Sequence, residues 1–313
     1  LFPYLVAPMN PFYSMHVRSE IKLATVLRWA DWDTPPAQME CALPFRQVVE
    51  RILECLDILV PCDPATLSAD PPAALRARDA AVELYILVPA LVNVLLNYKI
   101  CVEHDLPLHP TVYYELREAR KYRMRHALGD IQKANEWYWQ SMDVARKAYS
   151  LSVEAQGSIR AFSDQLPSEL QEFVYTAVRD KYTWLGSNPS LLASLAARIE
   201  HFHPDLLLAA AHGSIMPGLM LAEMLEIPLY FIRFSMFKRY DEEPIVSLSD
   251  QAWLFDYRNA RVVLYDEDVA GGRTLELFSK RLSHLFAHTV TACSLHHAGA
   301  SIQPDICGKT WWD

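Results

Sequence analysis

The apolar positions of this chain change their period once, near Pro204, and that change divides it. Before it, apolar residues recur at helical spacing: Val48, Val49, Ile52, Leu53, Leu56 and Leu59 mark an amphipathic helix entered from Pro44, since residues three and four apart share a helix face. The turn-rich run PCDPATLSADPP (Pro61 to Pro72) ends it, and a second helical stretch covers about Ala73 to Glu103. Further helical pieces are expected over Ser19 to Ala30, over Ser168 to Tyr182, and over Ser190 to His201 after the turn GSNP. The stretch from Val112 to about Ala161 reads as one or two long helices, with Gly129 and Gly157 as weak points.

After Pro204 the pattern is different. Apolar runs at Leu206 to Ala211, Leu229 to Phe234, Val262 to Tyr265 and Thr289 to Leu295 are short enough for strands, and helices at Met216 to Leu225 and Thr274 to Phe286 separate two of the pairs. Such alternation predicts βαβ units and an open parallel sheet flanked by helices. The expected organisation is therefore a mainly α-helical accessory region over 1–187 and an α/β domain over 188–313, with no internal repeat.

Composition agrees with this division. Of nine glycines, Gly129, Gly157 and Gly186 fall in the first 200 residues and six fall in the last 113. Scarce glycine suits helices, and the later glycines suit loops where backbone must approach a ligand. A hydrophobic share of 51% and a charged share of 21% over 313 residues exclude disordered and collagen-like classes.

The formal charge of −9 disfavours a general polyanion binder, because neutralising phosphates needs a basic surface. One local basic patch stands out: Arg117, Arg120, Lys121, Arg123 and Arg125, interleaved with Tyr113, Tyr114 and Tyr122. It reads as a helical face paired with acids elsewhere, with RNA or a partner's acidic surface as the other reading. Nucleic acid is thus not the favoured partner.

Cys41, Cys55, Cys62, Cys101, Cys293 and Cys307 form no CxxC pair, so reduced thiols are expected rather than a disulfide framework. The opening LFPYLVAPMNPF lacks a basic segment and is broken by Pro3, Pro8 and Pro11, unlike a secretory signal. The apolar stretch Leu84 to Leu96 is shorter than the ~20 residues of a membrane span and reads as a buried helix. No membrane partner is expected, and the cytoplasm is the expected compartment.

The informative segment is Val262 to Thr274, VVLYDEDVAGGRT. A buried strand delivers carboxylates to its C-terminal end, and a small-residue loop then opens a helix with free N–H groups. Carboxylates hold ribose hydroxyls or hydrated Mg2+, and a loop at a helix N-terminus holds phosphate. No GxxxxGK[ST] or GxGxxG is present, which disfavours P-loop NTPases and Rossmann dehydrogenases.

This segment resembles the phosphoribosyl pyrophosphate (PRPP) signature of type I phosphoribosyltransferases, with Asp266 and Glu267 on the acid pair and Ala270, Gly271, Gly272, Arg273 and Thr274 on the 5′-phosphate loop. A second segment, Asp205 to Arg233, is similar to the family's first strand, pyrophosphate loop, helix and next strand, with Ala211, His212, Gly213 and Ser214 as that loop and Arg233 as the basic residue beside it. The resemblance covers roughly residues 190–313. It implies Mg2+-assisted displacement of pyrophosphate at ribose C1, with Asp266, Glu267 and Arg233 as the catalytic set and the two acids at the metal. Asp268, Lys238 and Arg239 are further candidates, and Phe234 to Asp256 would form a hood.

Two departures shape the expectation. Asp268 stands where the family is usually hydrophobic, a form closer to divergent members of stress and tellurite-resistance operons. Ala270 stands where 6-oxopurine enzymes carry an aspartate general base, which disfavours hypoxanthine or guanine as acceptor. His212 either contacts pyrophosphate or caps the helix. The alternative is a PRPP- or nucleotide-binding regulatory or effector protein that keeps the pocket without ordinary turnover, its helical region serving a homo-oligomer or protein partner.

Several other groups read as ordinary packing or surface. His284 and His288 lie four apart, a metal-compatible spacing without a third ligand. Cys293, His296, His297 and Cys307 are irregularly placed for zinc. Trp253, Phe255 and Tyr257 would stack on an acceptor ring only if packing does not claim them. Trp137, Tyr138 and Trp139 cannot share one helix face, so one is expected at an interface.

Overall fold

The computed structural model describes residues 22–62, 70–108, 121, 124–236 and 241–312. Most of the basic patch, including Arg117, Arg120 and Arg123, lies outside them, as do Lys238 and Arg239.

After α1 (Lys22–Leu27) and a short strand β1 (Cys41–Pro44) comes α2 (Phe45–Leu59), which buries Val48, Val49, Ile52, Leu53, Leu56 and Leu59, the side its spacing predicts. Helix α3 (Pro71–Leu87) starts on Asp70, whose carboxylate accepts from Ala73 N–H at 3.3 Å, and α4 (Pro89–Glu103) follows at once. The two together are long and apolar enough to cross a membrane by composition, yet 83% of the most apolar window is buried in the protein. They are core helices, as expected for segments apolar on every side.

Five helices and one strand follow before the sheet begins: α5 (Leu128–Tyr149), α6 (Ala155–Ser163), α7 (Ser168–Gln171), β2 (Val174–Ala177), α8 (Lys181–Gly186) and α9 (Pro189–Glu200). The expected helix over Ser168 to Tyr182 is thus replaced by a short helix and a strand. Strand β2 pairs antiparallel with β1, Cys41 opposite Ala177 and Pro44 opposite Val174. Val174, Tyr175 and Thr176 favour the extended state, but only a partner far back in the chain realises it.

The C-terminal region contains β3 (Leu206–Ala211), α10 (Ile215–Leu225), β4 (Leu229–Arg233), α11 (Leu248–Phe255), β5 (Arg261–Val269), α12 (Arg273–Leu282), β6 (His288–His297) and β7 (Ile306–Trp311). The strands form one parallel sheet in the order β4-β3-β5-β6-β7, flanked by helices. Strand β5 runs past Tyr265 through all three acids, because Asp266, Asp268 and Val269 stay in register with Cys293, Leu295 and His296 of β6. Strand β7 was not expected: ICGKTW has no apolar run and is recognisable only by its ladder to β6. Helix α12 stops at Leu282, so His284 and His288 sit in a turn and at a strand start, both exposed, rather than on one helix.

One continuous apolar core runs from Leu23 to Ala292 across both regions. Tyr138 lies within it and donates to Phe231 O at 2.8 Å, while Trp137 and Trp139 are half-buried beside it. The regions also share a buried ionic network. Lys99 of α4, fully buried, donates to Asp250 Oδ1 at 2.7 Å, Ser247 Oγ at 2.9 Å and Glu103 Oε2 at 3.2 Å. Tyr230 OH donates to the same Asp250 oxygen at 2.6 Å. A charge removed from water persists only with such partners, so this network fixes α11 against α4.

Candidate functional site

The chain leaves β3 toward β4 on one side and β5 toward β6 and β7 on the other. Between β3 and β5 the winding reverses, and the C-terminal ends of strands at such a switch point are where open α/β sheets take ligands. Two loops leave these ends: 212–214, which opens α10, and 270–272, which opens α12.

Ser214 joins the first loop to the acids. Its Oγ, fully buried, donates to Glu267 Oε2 at 2.7 Å, lies 3.3 Å from Asp266 Oδ1, and accepts from the Glu267 N–H at 3.1 Å. The other Glu267 oxygen, Oε1, accepts from Thr183 Oγ1 of α8 at 3.2 Å. Gly213 admits this arrangement because any β-carbon there would overlap the Glu267 carboxylate. The peptide between Ala211 and His212 is cis.

Both acids are largely buried, at 6% and 9% exposure. Burial, and next the neighbouring Glu267 charge, push the Asp266 carboxyl well above the usual carboxylate range. Burial likewise raises Asp268, to about 6, with Glu267 adding and His297 opposing. Asp268 Oδ1 lies 2.9 Å from His297 Nε2, and the His297 ring meets Tyr182 of α8 edge-on at 4.8 Å.

The second loop carries the small residues its sequence promises. Gly272 has φ +84°, a left-handed conformation that glycine adopts without penalty, and it is the N-cap of α12. Ala270, Gly271 and Arg273 are exposed and Thr274 is half-buried, so this loop is open to solvent.

Arg233 ends β4 beside Ala211 in register, as the sequence suggests, but it is 2% exposed. Its Nη2 pairs with Asp241 Oδ1 at 3.1 Å, and Asp241 Oδ2 accepts from Ser235 N–H at 2.9 Å. Both groups expected to handle pyrophosphate, the 212–214 loop and Arg233, thus meet carboxylates of the chain itself.

Of the aromatics considered for an acceptor ring, Trp253 and Tyr257 are used in packing. Trp253 stacks on Tyr230 at 4.3 Å and on Tyr257 at 4.6 Å, and Phe255 points to solvent under Arg258. Among the described residues, no group of three or more His, Cys, Asp or Glu side chains is arranged to hold a metal, so Cys293, His296, His297 and Cys307 do not assemble a zinc site. The sequence reading missed Thr183, Tyr182 and Asp180, since nothing in their local pattern marks α8 as a neighbour of the acids.

Two adjacent carboxylates, one of them pushed strongly toward its neutral form by the other and by burial, are a donor set that a hard divalent cation would relieve. Mg2+ is commonly held by one or two carboxylates plus ligand phosphates, so Asp266 and Glu267 fit it once a phosphorylated ligand supplies the remaining oxygens.

The fold defines an open α/β protein with a candidate site at the switch point of a parallel sheet and a helical region joined to it. No family model matches the chain, and no curated protein matches it. Among solved structures it is similar to a purine phosphoribosyltransferase from Pyrococcus horikoshii Ot3, at 24% identity over 40% of this chain and 84% of that one, with a TM-score of 0.33. It is also similar to a hypothetical protein from Neisseria gonorrhoeae with bound ppGpp, at 23% identity over 40% and 78%, TM-score 0.33. A third is the Helicobacter pylori xanthine-guanine-hypoxanthine phosphoribosyltransferase, at 19% identity over 40% and 84%, TM-score 0.31.

Proposed function

We propose that the chain is a PRPP-dependent phosphoribosyltransferase. The observation that carries this reading is the convergence of Asp266 and Glu267 on Ser214 at the switch point, between two small-residue loops that open helices. PRPP has the matching parts: a 5′-phosphate for the 270–274 loop, ribose hydroxyls for the acids, and pyrophosphate for the 211–214 loop. Mg2+, held by Asp266 and Glu267 together with the ligand, would supply positive charge to the leaving pyrophosphate. The chain's own share is to position PRPP, exclude water from ribose C1, and balance charge through Arg233 once it is free of Asp241.

In this reading the boundary falls at 187/188, with the transferase unit on its C-terminal side. Ala270 in the loop supports an acceptor other than a 6-oxopurine. The test is calorimetric binding of Mg-PRPP, together with pyrophosphate release across a panel of nucleobases. Binding and release in the wild type, both lost in Asp266→Asn with Glu267→Gln, are expected; activity surviving that double substitution would refute the assignment.

A second reading draws on a different observation. Glu267 lies on the 212–214 loop and Asp241 pairs with Arg233, so the chain's own carboxylates close the anion-handling groups. This favours a PRPP- or nucleotide-binding regulatory protein. Tight binding without pyrophosphate release for any acceptor would select it.

A further inference from the structure

Thr183 belongs to α8, outside the sheet, yet its hydroxyl donates to Glu267 Oε1 at 3.2 Å. With Ser214 Oγ donating to Oε2 at 2.7 Å, both carboxylate oxygens are held and the group stays against Gly213. Helix α8 is itself anchored. The Asp180 carboxylate caps it by accepting from Thr183 N–H at 2.7 Å. Trp184, buried, donates from Nε1 to Asp31 O at 2.9 Å and stacks on Trp32 at 4.2 Å. Thr183 therefore presents its hydroxyl from a fixed support.

The position of Glu267 matters for ligand entry. A carboxylate against Gly213 takes up the space beside the 212–214 backbone that an anionic ligand would need, and two like charges resist sharing it. We infer that Thr183 is a positioning residue that holds Glu267 across the 212–214 loop, so that an anion entering the loop must first break the Thr183–Glu267 hydrogen bond. This rests on the proposed reading of the loop as a pyrophosphate site, and adds to it a control on affinity exerted from outside the sheet region.

The sign of the effect separates this role from simple support. Losing a group that only stabilises the site weakens binding, whereas losing one that favours the ligand-free arrangement strengthens it. The experiment titrates the full chain with magnesium pyrophosphate and with PRPP, in wild type, Thr183→Val and Thr183→Ser. Valine keeps the shape without the donor, and serine keeps the donor. Thr183→Val is expected to bind both ligands about tenfold more tightly, the worth of one hydrogen bond to a charged acceptor. Thr183→Ser is expected to stay within about twofold of wild type.

Amide exchange in the wild type gives an independent readout at Glu267, whose N–H donates to Ser214 Oγ at 3.1 Å and should lose protection when pyrophosphate displaces the carboxylate from Ser214 and Thr183. It decides the matter even if valine destabilises the chain. Unchanged or weaker binding by Thr183→Val, or no pyrophosphate-dependent exchange in a wild type that binds, overturns the inference and leaves the site assignment standing. Absence of binding by wild type and variant alike overturns the site assignment and this inference with it.

Discussion

Glu267 rests on Gly213: the carboxylate at the end of β5 lies where a side chain on the neighbouring loop would have to be. The contact joins two segments that the sequence marks separately. Ala at this position must expel Glu267 from its bonds to Ser214 and Thr183. Gly213→Ala is therefore expected to lose about 1–3 kcal/mol of stability, read from urea unfolding. A variant as stable as wild type would mean that the carboxylate leaves this position freely.

The Lys99 network gives a larger effect. Replacing Lys99 by Met removes the cation and strands the Asp250 and Glu103 carboxylates, both nearly buried. Breaking one side of such a pair costs about 3–5 kcal/mol. Thermal and urea unfolding should both report it, and adding Asp250→Asn to Lys99→Met should recover part of the loss. Full stability in the single variant would show that the network contributes nothing net.

Asp268 predicts a pH dependence. Its carboxyl is raised from 3.8 to about 6, so the folded state holds the proton more tightly than the unfolded chain. The associated stability is present below the ordinary value and is lost as pH rises through about 6. Asp268→Asn should abolish this part of the profile. In chelator, the variant's melting temperature should gain on that of wild type between these two values; a constant difference across the window would contradict the assignment.

The Cys293 and Cys307 pair predicts selective reactivity. They are neighbours in register on β6 and β7, and the hydrogen bond from Cys293 is the main cause lowering the Cys307 thiol to about 7, while Cys293 is raised. Cys307 is also the more exposed of the two. Iodoacetamide labelling followed by mass spectrometry should modify Cys307 first, with a rate that climbs as pH passes about 7. Replacing Cys293 by Ala removes the donor and should raise this midpoint; preferential labelling of Cys293 in the wild type would contradict the picture.

The α/β alternation after Pro204, the two loops and the acid pair were legible in the sequence because each depends on consecutive residues: an apolar run, a small-residue turn, the period of the following helix. Strands β1, β2 and β7 were not, because a short segment with mixed character becomes a strand only when a partner's ladder satisfies its backbone. The place of the acids after the apolar run was legible, but their engagement was not. That Arg233 would be paired with Asp241, and Glu267 with Ser214 and Thr183, depends on which side chains the fold brings within hydrogen-bond reach.

The sequence alone determined where adjacent carboxylates and small-residue loops follow the strands, since these are local patterns of residue type. Tertiary structure alone decided what those groups touch. Lys99 reaches Asp250 across 151 residues and Thr183 reaches Glu267 across 84, and no periodicity records contacts that only the packing of one region on the other creates.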